Sequence, residues 1–278
     1  MESWNPRNIY YYYDKPVPYH ANSIKPEERN EKNQLLFYPA RMSDYIMFNH
    51  YGSSLLLEKN TDQTLSFEDK IKYISMSYFQ YIFFETLNNP DSKPYLFLFD
   101  RLLSIVLRDD SFKDFESSMN RYFHNDDNVY FKINDIIYDT DDFDNIRKII
   151  CEANLLEIPD EKISKELREK IREAEEFQAK MNKTKMGSLE VQMVCVQIST
   201  GMKLEDIYNL PIRKFIKILE RVDKKLHYEI YMSASMSGMV EFKDKSILKH
   251  WMSDTSKEFF DNDAVIDYEK FKTEKGLK

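Results

Sequence analysis

Between Ile212 and Ile230 the apolar residues Ile212, Phe215, Ile216, Leu219, Val222, Leu226 and Ile230 return every three or four positions. Arg213, Lys214, Lys217, Arg221, Lys224 and Lys225 occupy the positions between them. This spacing commits the segment to an amphipathic α-helix with one stripe to bury and one basic face to wet. Such a helix needs neighbours, so it constrains the fold more than any other stretch. Pro211 stands at its first position, where a missing N–H costs nothing. Upstream, Ser188 caps a helix whose Val191, Val194, Cys195 and Ile198 share one face, and Thr200-Gly201 ends it, because glycine takes the left-handed conformation without a Cβ clash. A short turn follows at Leu204 to Tyr208, Ser237-Gly238 breaks the basic helix, and Ile247 to Met252 begins a last packed segment. Ile212, Phe215, Ile216, Leu219 and Leu226 are the expected core, each large aliphatic contributing roughly 1.5–3 kcal/mol when fully buried.

The rest of the chain agrees with a mainly α fold. Only 5 of 278 residues are glycine, which opposes both a turn-rich β architecture and a glycine-rich phosphate loop. The length predicts one large or two modest domains. Residues 1–33 read as an extended Tyr/Pro-rich arm, with the run Tyr10 to Tyr13 ahead of Pro16 and Pro18, which push their neighbours toward extended geometry. Too aromatic for a disordered linker, this arm either lies across its own domain or docks on a partner. Residues 34–158 read as a mainly helical domain. Ile71, Ile74, Tyr78, Tyr81, Ile82 and Leu87 line one long helix that opens at Ser66, and Leu96, Phe99, Leu102, Leu103, Val106 and Leu107 line another. A β-hairpin is expected near 129–138, where VYFKINDIIY alternates on either side of Asn134-Asp135, a pair suited to a tight turn. Residues 159–186 form a charged connecting helix with a narrow stripe, Ile163, Leu167, Ile171, Ala174, Phe177 and Met181, which either lies solvated on the core or pairs with another chain as a homo-oligomer contact. Residues 187–278 are the C-terminal helical unit.

Chemistry is sparse in the sequence. His20, His50, His124, His227 and His250 fall in no zinc-binding spacing, and neither a nucleophile elbow nor a nucleotide-binding loop occurs. The acidic run Asp139, Asp141, Asp142 and Asp144 lacks the glycine and the closing glutamate of a calcium loop, so it is expected to cap the helix that follows. Cys151 and Cys195 are expected as buried, reduced thiols. No catalytic residue, cofactor or metal is assigned, and the chain is expected not to be an enzyme. A net charge of −8 and a pI near 5.3 oppose nucleic-acid binding. The opening MESWNPRN lacks the pattern of a signal peptide, and the apolar run Tyr95 to Leu107 is too short to span a bilayer. A soluble intracellular protein with no membrane partner is the expectation.

Two phrases carry a resemblance, ISTGMKLEDIYNLPIRKFIKILERVDKKLHYEIYMSASMSG and IKYISMSYFQYIFFETL. They resemble tail assembly chaperones and baseplate-hub assembly proteins of tailed bacteriophages from AT-rich, often Gram-positive hosts. The shared pattern falls on Thr200, Gly201, Glu205, Asp206, Ile207 and Leu210, followed by the basic helix. The resemblance implies a non-enzymatic protein that binds a tape-measure or hub component during morphogenesis, in the host cytoplasm or in the virion. Tyr11, Tyr12, Tyr13, Lys214, Lys217, Arg221 and Lys224 are then the candidate partner-binding residues. Two alternatives stay open: a structural tail or baseplate subunit whose arm threads onto its neighbours, and a nucleic-acid-binding regulator that uses the basic face from Arg213 to Lys225.

Overall fold

A computed structural model of the chain describes residues 7–57, 59, 71, 73, 75–88, 94–114, 120–126, 128–159, 170, 173, 187–237, 242 and 250–253. They form a mainly helical fold with a small amount of antiparallel sheet, divided into two units, Met1–Lys217 and Ile218–Lys278. The sequence placed the start of a C-terminal unit at residue 187. Residues 187–217 fall within the first compact unit, and the expected connecting helix of 159–186 lies outside the described residues except at 159, 170 and 173. The start of the long helix at Ser66 and the tail beyond Ser253 also lie outside them.

Within the first unit the helices are α1 (Arg7–Tyr12), α2 (Tyr45–Gly52), α3 (Tyr78–Asn88), α4 (Tyr95–Val106), α5 (Thr140–Asn154), α6 (Leu189–Thr200) and α7 (Leu204–Tyr208). Strands β1 (Val17–Tyr19) and β2 (Leu35–Phe37) pair antiparallel, and β3 (Tyr122–Asn125), β4 (Asn128–Ile133) and β5 (Ile136–Tyr138) form a second antiparallel sheet in that order. The expected hairpin is β4–β5, with Ile133 opposite Ile136. Asn134 and Asp135 both take positive φ, 50° and 64°, the conformation that a two-residue hairpin turn requires. Strand β3 was not foreseen. Its sequence, YFHN, is too short to display alternation.

The core is aromatic. Phe79 of α3 stacks on Phe143 of α5 with centroids 4.4 Å apart and planes 3° from parallel. Phe131 of β4 meets Phe79 edge-on at 5.6 Å, and Phe99 of α4 lies 4.8 Å from Phe143. All four rings are fully buried, so one cluster ties three helices to the sheet. Each such pair adds about 0.5–1.5 kcal/mol beyond area burial.

Helix α5 starts on a capping box. The Asp142 amide donates to Asp139 Oδ1 at 2.9 Å, and the Asp139 amide donates to Asp142 Oδ2 at 3.0 Å. The acidic run is therefore a helix start, as the sequence implied. The box also anchors the N-terminal segment: Tyr19 Oη and the Asn22 amide donate to Asp142 Oδ1 at 2.7 and 2.8 Å. Burial holds the Asp142 carboxyl above its ordinary value, against the hydrogen bonds from Tyr19, Asp139 and Asn22 that lower it.

The arm is not extended throughout. Residues Arg7–Tyr12 are helical, because the prolines constrain only the chain around residues 15–19. The helix ends in a turn where Asp14 has a φ of 57°, the Lys15 amide donates to the Tyr10 carbonyl at 2.9 Å, and Asp14 Oδ2 accepts from Arg41 Nη2 at 2.7 Å and Oδ1 from Arg108. Next to this turn, residues 40–42 and 210–212 pair as a short backbone bridge. The Met42 amide donates to the Leu210 carbonyl and the Ile212 amide to the Ala40 carbonyl, each at 2.9 Å. Buried Asn154 reinforces this by accepting from the Ala40 amide at 2.9 Å.

Helix α8 (Ile212–Met236) begins in the first unit, and its residues from Ile218 belong to the second. In the second unit Arg221 Nη1 donates to the carbonyls of Trp251 and Ser253 at 2.7 and 3.1 Å. Tyr228 meets His250 at 5.1 Å, and Tyr231 meets Phe242 at 5.7 Å. Ile212 and Phe215 are buried as expected, but Leu226, expected in the core, is half exposed, and so is Ile230.

Candidate interaction surface

The bridge between residues 40–42 and 210–212 brings the first turn of α8 to α1, and with it the two ends of the chain that the sequence had singled out separately. Lys214 Nζ lies 5.1 Å from the Tyr12 ring centre and 5.9 Å from that of Tyr13. Those two rings meet edge-to-face at 5.7 Å. Beneath them Tyr11 is fully buried, with the Arg213 guanidinium 5.9 Å from its ring, and Arg213 also donates to the Glu152 carbonyl of α5. The result is a surface patch of Tyr12, Tyr13 and Lys214, in which Tyr13 is 63% exposed and Tyr12 37%. Cation–π contacts at such exposed sites contribute about 0.5–1 kcal/mol each. Tyrosine is enriched in binding hot spots, since a large rigid ring loses little entropy on contact.

The other candidate residues divide. Tyr11 is fully buried. Lys217 is exposed at the last position of the first unit. Arg221 belongs to the second unit, where it holds the turn at 250–253 through two carbonyls and so serves that unit's own structure. Lys224, half exposed, lies one turn further along the same helix.

A second surface was misread from the sequence. Val191, Val194, Cys195 and Ile198 were expected to face inward. Instead Val191 is 51% exposed, Val194 41% and Ile198 78%, and Cys195 is exposed as well. The buried residues of α6 are Met193 and Val196, and the neighbouring α7 buries Ile207. The cap residues behave as read: Ser188 Oγ accepts from the Val191 amide at 3.4 Å, and Gly201 ends the helix with a φ of 73°. The error arose because α6 carries apolar residues on both sides and one charge, Glu190. The signal that was available is this lack of charge in a chain 32% charged, since interface centres are depleted of charge. Cys151, by contrast, is buried as expected, and burial pushes its thiol up to about 12.

Two of the histidines, His20 and His124, contact neighbouring side chains of the first unit. His20 Nδ1 lies 3.1 Å from both the carbonyl and the side-chain oxygen of Asn33, and His124 packs beside Phe83 and Phe84. Among the described residues there is no cluster of three or more His, Cys, Asp or Glu side chains arranged to hold a metal ion. Among them also, no helix is long and apolar enough to cross a membrane.

Comparison with known proteins yields a family match over part of the chain. Residues 180–256 fit the family described as the YomV second domain, a phage-type family of Bacillus prophage. No curated protein and no solved structure matches the chain. The matched span contains α6, α7 and α8, about a quarter of the sequence. It is a phage-associated domain, it implies a phage-encoded protein, and it carries the exposed apolar face of α6.

Proposed function

We propose that this chain is a non-enzymatic assembly protein of a tailed phage, acting in the host cytoplasm, which binds a tape-measure or hub component and keeps it soluble during tail or baseplate morphogenesis. The observation that carries the proposal is the exposed stripe Val191, Val194 and Ile198 on α6, inside the phage-associated segment. An apolar helical stripe with almost no charge suits the apolar face of an amphipathic client helix, and a net charge of −8 keeps the resulting complex soluble. The Tyr12, Tyr13 and Lys214 patch offers a second, polar contact for an acidic segment of the client.

The experiment is to tag the protein in the infecting phage and compare what co-purifies from lysate with what remains in purified virions. Recovery of the tape-measure or hub protein from lysate, its loss with Ile198→Glu, and absence of the chain from virions are the expected outcomes. Stoichiometric presence in virions would replace the chaperone with a structural tail subunit. Association with neither would end the tail reading.

A further inference from the structure

Helix α5 carries a buried charge that is paired with no carboxylate among the described residues. Arg147 is 6% exposed. Its Nε donates to the Leu55 carbonyl at 2.7 Å, and its guanidinium lies 3.5 Å over the ring of Tyr78. That ring is itself fixed, because Tyr78 Oη donates to the Ser54 carbonyl at 2.7 Å and accepts from the Leu57 amide at 3.0 Å. Among the described residues no carboxylate pairs with Arg147. A buried guanidinium without a counter-ion is costly, and an aromatic face offsets only part of that cost.

Arg147 lines a cavity of about 200 Å³ whose other walls are Lys59, Ser77, Tyr78, Asp144, Lys148 and Ile158. Among the described residues lining it, three side chains are cationic and one is a carboxylate, in a chain of net charge −8. Lys59 is oriented by donating to the Met76 carbonyl at 2.6 Å. The volume far exceeds the space of one water, roughly 30 Å³ in the liquid. It falls short of the roughly 300–1,000 Å³ of pockets for drug-sized ligands. A small polyatomic ion fits between those limits.

We propose that this cavity binds a phosphate group, with Arg147 as the fixed ligand and Lys59 and Lys148 completing the positive wall. A guanidinium held flat on an aromatic ring presents its remaining N–H groups in the fork that matches a tetrahedral oxyanion. Asp144 fits the same ligand, since a monoprotonated phosphate or a phosphate ester with a neighbouring hydroxyl has a proton to donate to it. The group arrives either as inorganic phosphate or on a small phosphorylated molecule.

The test is thermal unfolding of the full chain in phosphate against chloride at constant ionic strength, for the unsubstituted chain, for Lys59→Gln/Lys148→Gln and for Arg147→Met. The unsubstituted chain is expected to show a saturable rise in Tm in phosphate. Lys59→Gln/Lys148→Gln alters exposed or half-exposed side chains, so it folds, and it weakens phosphate about tenfold or more, the worth of a charge-assisted hydrogen bond. Arg147→Met, if it folds, abolishes the rise. Glycerol phosphate binding more tightly than inorganic phosphate identifies a phosphorylated molecule as the source, and equal or weaker binding identifies the free ion. The absence of a saturable rise in phosphate over chloride overturns the proposal, as does a rise unchanged in Lys59→Gln/Lys148→Gln.

Discussion

Three truncations on α6 distinguish the face that packs from the face that waits: Ile198→Ala, Val196→Ala and Met193→Ala. Ile198 is 78% exposed, so folding removes only about a fifth of its surface from water. A fifth of the roughly 2.5 kcal/mol that full burial is worth is about 0.5 kcal/mol, and the better helix propensity of alanine returns a few tenths of that. Ile198→Ala is therefore expected to be nearly neutral. Val196 is fully buried, and losing two carbons at roughly 0.8 kcal/mol each, with a cavity left behind, costs about 2 kcal/mol. Met193, also buried, costs about 2–5 kcal/mol on truncation. Urea unfolding with linear extrapolation resolves these differences, provided the m-value holds. The reverse order, with Ile198→Ala the costly change and Val196→Ala harmless, would refute the register and restore the inward stripe expected from the sequence. If the register stands, Ile198→Glu leaves folding intact and weakens client binding by about 2 kcal/mol, roughly thirtyfold.

Four further outcomes are expected. In the native protein a thiol reagent modifies Cys195 at once and Cys151 only on unfolding; simultaneous modification of both would contradict their burial. The folded Cys151 thiol, raised to about 12 by burial, keeps its proton where the unfolded one, at 9.0, loses it. That contribution is therefore intact below about pH 9 and lost as pH rises toward 12, by up to about 4 kcal/mol. The buried hydroxyls of Tyr78, Tyr122 and Tyr138 shift in the same direction, and an alkaline urea midpoint that Cys151→Ala fails to flatten would count against it. Tyr122→Phe removes the 2.6 Å donor to the fully buried Asp100 and is expected to cost about 1.5–3 kcal/mol in urea unfolding; additivity with Asp100→Asn would show that the two do not interact. Asn134→Val forces a β-branched residue to a φ of 50° and costs about 1–2 kcal/mol, whereas Asn134→Gly is close to neutral, a contrast visible in thermal unfolding.

What could be read from the sequence was local. The hairpin around Asn134-Asp135, the acidic start of α5, the Ser188 cap, the Gly201 stop and the buried pair Ile212 and Phe215 each follow from residues within a few positions of one another. The misreadings share another cause. Tyr10 to Tyr12 are helical because proline restricts only its own neighbours, and nothing in a tyrosine run forbids a helix. The inward face of α6 was undetermined because apolar residues stand on both its sides, so that packing against a neighbour such as α7 decides the matter. Cys195 was misplaced for the same reason. Leu226 and Ile230 continue a stripe correctly read as amphipathic, but periodicity marks which residues can share a buried face and not how far along the helix a neighbour exists to cover it.

The meeting of Tyr12 and Tyr13 with Lys214 lies further still from local pattern. It depends on two backbone hydrogen bonds between residues 40–42 and 210–212, on Asn154 holding Ala40, and on the turn at Asp14 held by Arg41 and Arg108. None of those partners announces itself by spacing. The distribution of apolar exposure is the complementary fact. Half of the exposed large apolar side chains among the described residues fall in the phage-associated quarter of the chain, from Val191 to Met252. Scattered exposure of this kind is ordinary. Three such residues at helical spacing on one nearly uncharged face are not, because water penalises a contiguous apolar stripe that a single polar substitution would interrupt. That is why the proposed function rests on α6, and why the order of the three truncations bears on it directly.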